Sequence, residues 1–155
     1  MSALPSVLFV CLGNICRSPL AEGALRDLAV RRGVAVHVDS AGTSDWHIGV
    51  APDERAQRVA SRHGVDIAGL RGRQVVAADF ARFDHIVALD RQNLANLRAI
   101  APAGARARLS LLLDHVPGRE GQAVADPYYG EEAGFEVTWT EVGLGAEGLL
   151  RLITG

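Results

Sequence analysis

Length, composition and charge predict one globular domain and exclude several kinds of partner. The chain has 155 residues, 48% of them hydrophobic and 22% charged, a mix typical of globular domains with a sizeable core. Its formal net charge of -2 gives no reason to expect a nucleic-acid or membrane partner, and because all 16 basic residues are Arg, chemistry that needs a lysine is excluded.

Strand-like and helix-like segments alternate along the chain. Runs of apolar and β-branched residues predict four strands, at 6–10, 34–42, 85–90 and 107–114. Helical spacing predicts four helices, at 18–33, 51–64, 90–102 and about 134–153. We expect Ser18 to be the N-cap of the first helix with Pro19 at its first position, and Asp90 to cap the third.

This alternation predicts an α/β fold, a doubly wound four-stranded parallel sheet with helices on both faces. In such folds ligands bind outside the carboxyl ends of the strands, where the winding reverses. The loop at 11–17 leaves the first strand at that end and leads into a helix. We therefore expect the functional site to be a phosphate-binding loop after strand 1.

The segment CLGNICRS at 11–18 has the pattern Cys-x5-Arg-Ser. A loop at a helix N-terminus presents backbone N–H groups and the positive end of the helix dipole, which together bind anions, and Gly13 permits the tight turn. Arg17 supplies a planar fork that matches two phosphate oxygens. The residues expected around a phosphate are Leu12, Gly13, Asn14, Ile15, Cys16, Arg17 and Ser18.

Cys11 is the candidate nucleophile, because it would lie beneath the bound anion. The groups that attract phosphate favour its thiolate, to which Ser18 can donate, while Asn14 can hold the shape of the loop. This arrangement fits in-line attack of sulfur on phosphorus and a phosphocysteine intermediate. Asp126, in ADPYYG at 125–130, is the natural general acid for the leaving oxygen and later the base that activates water.

Simpler interpretations exist for each feature alone. A cysteine after a buried strand is usually a small buried hydrophobe, and Asp-Pro in a polar loop is usually a turn. The joint occurrence of Cys, five residues, Arg and Ser between strand and helix favours a phosphatase. A nucleotide P-loop is disfavoured because its Gly-Lys-Ser/Thr is absent. No metal or other cofactor is expected, since the histidines are scattered, at His37, His47, His63, His85 and His115.

The chain resembles the low-molecular-weight protein tyrosine phosphatases over essentially its whole length. Its most specific motifs are VLFVCLGNICRSPLAEG and DPYYG, and VDSAGTSDW, SRHG and ADFARFDHIVALDRQNL also fit in order. The resemblance implies the same four-stranded fold and hydrolysis of phosphotyrosine and aryl phosphates within a single phosphatase domain, 1–155. It implies that Cys11 is the nucleophile, Arg17 the phosphate clamp and Asp126 the general acid and base.

The resemblance also implies supporting roles. The loop-supporting residues would be Asn14, Ser18, Ser40 and His63, and the substrate cleft would be walled by Leu12, Trp46, Tyr128 and Tyr129. Cys16 would form a reversible disulfide with Cys11. Ordinary roles stay open for several of them: His63 as a helix C-terminal cap, Ser40 as a turn residue, the aromatic residues as plain packing. Asp90 is a further site candidate, since the family has a similar acid near the site.

Other functions remain alternatives. Thioredoxin-coupled arsenate reductases share the loop but need two more cysteines, and none follows Cys16. Protein-arginine phosphatases carry Thr where Ile15 stands and lack the paired tyrosines. A non-catalytic phosphopeptide-binding module would need neither Cys11 nor Asp126. The expected partners are phosphotyrosine-containing proteins and a cognate tyrosine kinase. A cytoplasmic location is expected, since the start MSALPS has no basic residue and VLFVCL is too short for a signal peptide. A monomer is also expected.

Overall fold

The computed structural model describes residues 4–155, so the first three residues of the predicted domain lie outside it. Its four parallel strands are β1 (Ser6–Cys11), β2 (His37–Gly42), β3 (His85–Ala88) and β4 (Arg108–Leu111), in the sheet order β2-β1-β3-β4. The helices are α1 (Arg17–Arg31), α2 (Glu54–Arg62), α3 (Asp79–Arg82), α4 (Arg91–Ile100) and α5 (Ala133–Thr154), with a 3-10 helix at Leu112–His115. The predicted parallel α/β fold is confirmed.

The central strand β1 separates two hydrophobic cores. Val7 and Phe9 belong to the core built with α1, α2 and α5, whereas Leu8 and Val10 belong to the core built with α3 and α4. Every residue of β1 is buried, which explains its uninterrupted apolar run. Because β1 pairs with both β2 and β3, the winding of the sheet reverses there, and Cys11 lies at the carboxyl end of that switch point.

Several elements differ from the sequence predictions. β2 begins at His37 instead of residue 34. The predicted strand at 107–114 is divided, because the side chain of Asp114 accepts a hydrogen bond from the Leu111 N–H (3.0 Å) and closes a 3-10 turn. The short helix α3 was not predicted, since a single turn is too short to produce a helical period in the sequence.

The start of α1 corrects the predicted cap. The helix begins at Arg17, its N-cap is Cys16, and no side chain caps it, so Ser18 is not the N-cap and Pro19 is not the first helical residue. The first turn therefore keeps its backbone N–H groups available, as an anion site requires. The predicted cap of α4 is confirmed, because the Asp90 carboxylate accepts a hydrogen bond from a backbone N–H of the first turn, that of Asn93, at 2.7 Å.

The glycines of α5 allow a close approach to the 3-10 helix. A Cβ at Gly145 would overlap the Leu112 side chain, and a Cβ at Gly148 would overlap the carbonyl oxygen of His115. α5 is thus continuous over 22 residues despite its glycines, because their packing compensates for their low helix propensity. Among the helices of residues 4–155, none combines the length and apolarity needed to cross a membrane.

Candidate active site

The carbonyl groups of the loop between β1 and α1 are hydrogen-bonded to neighbouring segments of the chain. Three of them accept backbone hydrogen bonds of 2.8 to 3.0 Å, Cys11 from Thr43, Leu12 from Ser44, and Ile15 from Asp53. In a trans peptide unit the N–H points away from the C=O. The N–H groups that follow these carbonyls therefore point away from Thr43, Ser44 and Asp53, so these three contacts leave them available to an anion.

Asn14 is the hub of the loop's polar network. Its side-chain Nδ2 donates to Ser18 Oγ (2.8 Å) and Ser40 Oγ (3.0 Å), and its Oδ1 accepts from the backbone N–H of Arg73 (3.0 Å). Its backbone has φ 58°, a left-handed conformation that Asn tolerates better than most side chains. The structure thus brings together three of the predicted loop-supporting residues, Asn14, Ser18 and Ser40.

The fourth predicted member, His63, lies elsewhere and its assignment to the network is corrected. Its Nε2 is 2.9 Å from Glu136 Oε2, and its ring stacks on Trp139 with centroids 5.1 Å apart, at the junction of α2 and α5. The physical reason is the direction of α2. Its N-cap Asp53 contacts the loop, and His63 is its C-cap, roughly 15 Å further along the helix axis.

Glu22 belongs to the network and was not predicted from the sequence. Its Oε1 accepts a hydrogen bond from Ser40 Oγ at 2.6 Å, and its Oε2 accepts one from Arg26. The side chain is buried on α1. The chain of hydrogen bonds from Glu22 through Ser40 and Asn14 therefore ends at Ser18, directly beside the sulfur of Cys11.

Cys11 lies at the floor of the cleft. Its Sγ is 3.0 Å from Ser18 Oγ and accepts a hydrogen bond from the Asn14 backbone N–H at 3.3 Å. Only 4% of the residue is exposed. Donors in this position stabilise negative charge on sulfur, which is the reactive form of a cysteine.

Arg17 is held from behind by two acceptors. Its Nη1 donates to Asp90 Oδ2 (2.8 Å) and to the Val124 carbonyl (3.0 Å). Its Nη2 lies 3.6 Å from Asp126 Oδ2. Asp90 therefore has both roles that the sequence suggested, capping α4 and lying at the site. The guanidinium is 4% exposed, so its orientation is fixed before any anion arrives.

Asp126 and the predicted aromatic residues line the same cleft as Cys11. Asp126 Oδ1 accepts a hydrogen bond from the Tyr128 N–H (3.1 Å), and its side chain is 43% exposed. The cleft measures about 230 Å³, and the predicted wall residues all line it, namely Leu12, Trp46, Tyr128 and Tyr129. Within residues 4–155, no group of three or more His, Cys, Asp or Glu side chains is arranged to hold a metal ion.

Comparison with known proteins identifies the family. Residues 6–154 match the model of the low molecular weight phosphotyrosine protein phosphatases. The chain belongs to this family. It is 43% identical over 149 residues to low molecular weight phosphotyrosine protein phosphatase 2 of Drosophila melanogaster, covering 94% of this chain and 90% of that protein. It is 43% identical over 150 residues to the low molecular weight protein-tyrosine-phosphatase YfkJ of Bacillus subtilis, covering 96% and 95%.

Solved structures of related proteins have the same fold. The crystal structure of YfkJ from Bacillus subtilis aligns with a TM-score of 0.91 at 41% identity, covering 99% of this chain and 96% of that one. The crystal structure of DARP, a drosophila arginine phosphatase, also aligns with a TM-score of 0.91, at 34% identity, covering 96% and 98%. The predicted resemblance to the low molecular weight phosphatases is therefore confirmed across nearly the whole chain.

In this low molecular weight phosphatase the second loop cysteine, Cys16, is an unreactive buried thiol. Cys16 is buried, and burial raises its pKa far above the ordinary value, with a further contribution from the negative charge of Asp53. Its thiol therefore stays protonated at neutral pH. Both cysteines are present as free thiols.

Sequence reasoning missed several contributors to the phosphatase site. Glu22 had a detectable signal, a carboxylate within the apolar stripe of a helix in LAEGAL. Asp53 and Arg55 look like an ordinary helix start, and only their contacts with Ile15 and Tyr128 distinguish them. Val124 contributes its backbone carbonyl, which no side-chain pattern reports. His47 lines the cleft beside the predicted tryptophan.

Proposed function

We propose that this low molecular weight phosphatase hydrolyses phosphotyrosine and aryl phosphates through a phosphocysteine, with 1–155 acting as a single phosphatase domain. The observation that carries the proposal is the convergence of three groups on one cleft: the Cys11 sulfur, the Arg17 guanidinium and the Asp126 carboxylate. A phosphoryl group seated in the loop would have the nucleophile beneath it and the acid above it.

In the first step the Cys11 thiolate attacks phosphorus and the bond from phosphorus to the tyrosine oxygen breaks. Asp126, protonated, gives its proton to the departing oxygen, so a neutral phenol leaves. Arg17 and the loop N–H groups bind the phosphoryl oxygens as charge redistributes over them. The products of the step are a phosphocysteine and the dephosphorylated tyrosine.

In the second step Asp126, now a carboxylate, takes a proton from water as that water attacks phosphorus. The sulfur–phosphorus bond breaks, and inorganic phosphate and the Cys11 thiolate are formed. Ser18 supports this thiolate from 3.0 Å away, so the leaving sulfur has a donor in place. Arg17 and the loop amides already supply the positive charge that the transition state needs, and we expect activity in the presence of EDTA.

The supporting residues act around these steps. Residues 12–18 would surround the phosphate, Asn14, Ser18 and Ser40 would keep the loop in shape, and Trp46 and the paired tyrosines would flank the substrate ring. Cys16 would serve as the partner for a reversible disulfide with Cys11. Mass spectrometry after mild peroxide tests the disulfide, and sulfonic acid on Cys11 without any disulfide would contradict it.

The first test is hydrolysis of p-nitrophenyl phosphate at mildly acidic pH, with EDTA and reductant, by wild type and Cys11→Ser. Activity in wild type that disappears in Cys11→Ser is the expected result. Inactivity of folded wild type, with phosphopeptide binding retained by Cys11→Ser, would favour a non-catalytic binding module instead.

Arginine phosphatase activity is the second candidate, favoured by the close structural likeness to the drosophila arginine phosphatase. YfkJ, which is named a protein-tyrosine-phosphatase, aligns with the same TM-score. The fold alone therefore does not distinguish a tyrosine phosphatase from an arginine phosphatase. Ile15 and the two tyrosines of DPYY favour an aromatic substrate. Parallel assays on phosphotyrosine and phosphoarginine peptides decide between them, and faster turnover of phosphoarginine would reverse our preference.

The physiological context remains part of the proposal. Phosphotyrosine-containing proteins follow as substrates from the proposed chemistry, and a cognate tyrosine kinase is a further expected partner. A cytoplasmic location and a monomeric state are predictions from the sequence. Co-purification with tyrosine-phosphorylated proteins by Cys11→Ser, and mass measurement of the protein in solution, test these points.

A further inference from the structure

The loop that carries Asp126 is anchored by a side chain from α2, that of Arg55. The guanidinium donates from Nη1 to the Gly130 carbonyl (3.2 Å) and from Nη2 to the Tyr128 carbonyl (3.1 Å). Its central carbon lies 4.6 Å from the ring centroid of Phe135, in the first turn of α5. Arg55 thus binds the loop beyond Asp126 and the helix that follows it.

The same guanidinium is tied to the phosphate loop through Asp53. Nε and Nη2 of Arg55 donate to the two oxygens of the Asp53 carboxylate at 3.0 and 2.9 Å. The backbone N–H of Asp53 in turn donates to the Ile15 carbonyl of the phosphate loop at 2.8 Å. The hydrogen bonds from Arg55 hold the pKa of Asp53 below its ordinary value, so the pair stays ionised at the working pH of the enzyme.

This connection matters because the two sides of Asp126 are held differently. Before it, Ala125 is held from α5, since Thr138 Oγ1 donates to its carbonyl (3.1 Å) and its N–H donates to the Glu141 carboxylate (3.2 Å). After it, the carbonyls of the acid loop are bound by Arg55. The Asp126 side chain is 43% exposed and accepts one hydrogen bond, from Tyr128 N–H in its own loop. The distance from the Asp126 carboxylate to the Cys11 sulfur depends on how the acid loop packs against the phosphate loop. Arg55 is the side chain in the described chain that hydrogen-bonds to both the Asp53 anchor and the acid loop.

We propose that Arg55 is a positioning residue for the acid step, which sets Asp126 over the leaving oxygen by bridging the phosphate loop and the acid loop. The inference rests on the proposed function, since it requires Asp126 to be the proton donor. Arg55 itself would touch neither the substrate oxygen nor phosphorus. A planar fork is needed, because one guanidinium here serves two carboxylate oxygens and two carbonyls, which a single ammonium cannot do.

The test is a double-mutant cycle between Arg55→Ala and Asp126→Asn, measured as kcat/KM on two substrates. Phenyl phosphate has a poor leaving group and needs the acid, whereas p-nitrophenyl phosphate has a good one. We expect Arg55→Ala to lower kcat/KM for phenyl phosphate on the order of 10- to 100-fold, because small displacements of a catalytic group carry losses of that size. The loss on p-nitrophenyl phosphate should be much smaller, and inhibition by inorganic phosphate should be unchanged.

Arg58→Ala is the matched control. Arg58 lies on the same helix, and its replacement removes the same charge. Its guanidinium binds Glu132 at the start of α5 (2.6 Å) and not the acid loop. Its kcat/KM should stay near wild type on both substrates. Arg55→Lys keeps the charge without the fork, so it should remain closer to Arg55→Ala than to wild type. If Arg55→Ala does not fold, Arg55→Lys replaces it in the double-mutant cycle with Asp126→Asn.

The decisive result is the behaviour of Arg55→Ala in the Asp126→Asn background. If Arg55 acts through the acid, its effect on phenyl phosphate should disappear there, because the losses are not additive. Additive losses, or equal losses on both substrates, would overturn the inference while leaving the phosphatase proposal intact. Wild-type activity that survives Cys11→Ser would overturn the proposed function and the inference with it.

Discussion

Replacement of Asn14 tests how the phosphate loop is held in shape. Its amide makes three hydrogen bonds, to Ser18, Ser40 and the Arg73 backbone, and its backbone is left-handed at φ 58°. Asn14→Gly removes the amide but tolerates the backbone, whereas Asn14→Ala removes the amide and strains the backbone. The two variants therefore separate the side-chain contribution from the conformational one.

The expected magnitudes follow from these contacts. Buried hydrogen bonds contribute about 1 kcal/mol each, so loss of the Asn14 amide should lower the free energy of unfolding by about 3 kcal/mol in Asn14→Gly. Asn14→Ala should lose about 1 kcal/mol more, because its Cβ disfavours the left-handed conformation. For a chain of this size, the Gly variant should melt roughly 10 °C below wild type.

The assay is denaturant unfolding followed by circular dichroism in reductant, together with phosphatase kinetics. Because Ser18 loses its Nδ2 donor, we expect kcat to fall more than the affinity for inorganic phosphate. Equal stability of Asn14→Gly and Asn14→Ala would refute the argument from backbone strain. Midpoints indistinguishable from wild type for both would refute the role of the network.

Further predictions concern packing, pH and thiol chemistry. Gly148→Ala should destabilise the protein by about 1 to 3 kcal/mol, because the new Cβ would overlap the His115 backbone. Gly143→Ala, where a Cβ meets nothing, should stabilise it by up to about 1 kcal/mol. Thermal denaturation compares the two variants, and equal effects would contradict the packing argument. Burial lowers the pKa of His115 from its ordinary value of 6.5, so the unfolded chain takes up the proton first and stability should fall as pH decreases below 6.5. In His115→Gln the melting temperature should fall less steeply as pH decreases. An unchanged pH dependence of the melting temperature would contradict the role of His115. In Cys11→Ser, folded Cys16 should resist iodoacetamide at neutral pH and react once unfolded, since burial raises its thiol pKa; mass spectrometry would detect early labelling that contradicts this.

Much of the fold was predictable because its signals are local. The apolar run of β1 needs both faces covered, and that requirement is written in consecutive residues. The boundaries were less accurate where a tertiary hydrogen bond or a single helical turn decides them, as at Asp114 and at α3. The glycines of α5 lower the helical signal in the sequence, yet Gly145 and Gly148 let the helix approach the 3-10 helix too closely for a Cβ.

The sequence by itself determined the chemistry of the loop. Cys11, Arg17 and the residues between them lie within one stretch, so their spacing and their place between strand and helix are readable directly. Asp126 could be proposed as the general acid because the chemistry requires an acid and the DPYY motif supplies one. These inferences depend on residue type and short spacing, which a sequence records.

Only the tertiary structure decided which distant groups support that chemistry. Glu22 of α1 binds Ser40, and His63 lies outside the network because the N-terminal end of α2 faces the loop and its C-terminal end faces α5. Arg17 is fixed by a carbonyl 107 positions away, and Arg55 spans two loops that no sequence period connects. Hydrophobic periodicity specifies which face of an element is buried, but the contacts at its ends depend on how helices are set against the sheet.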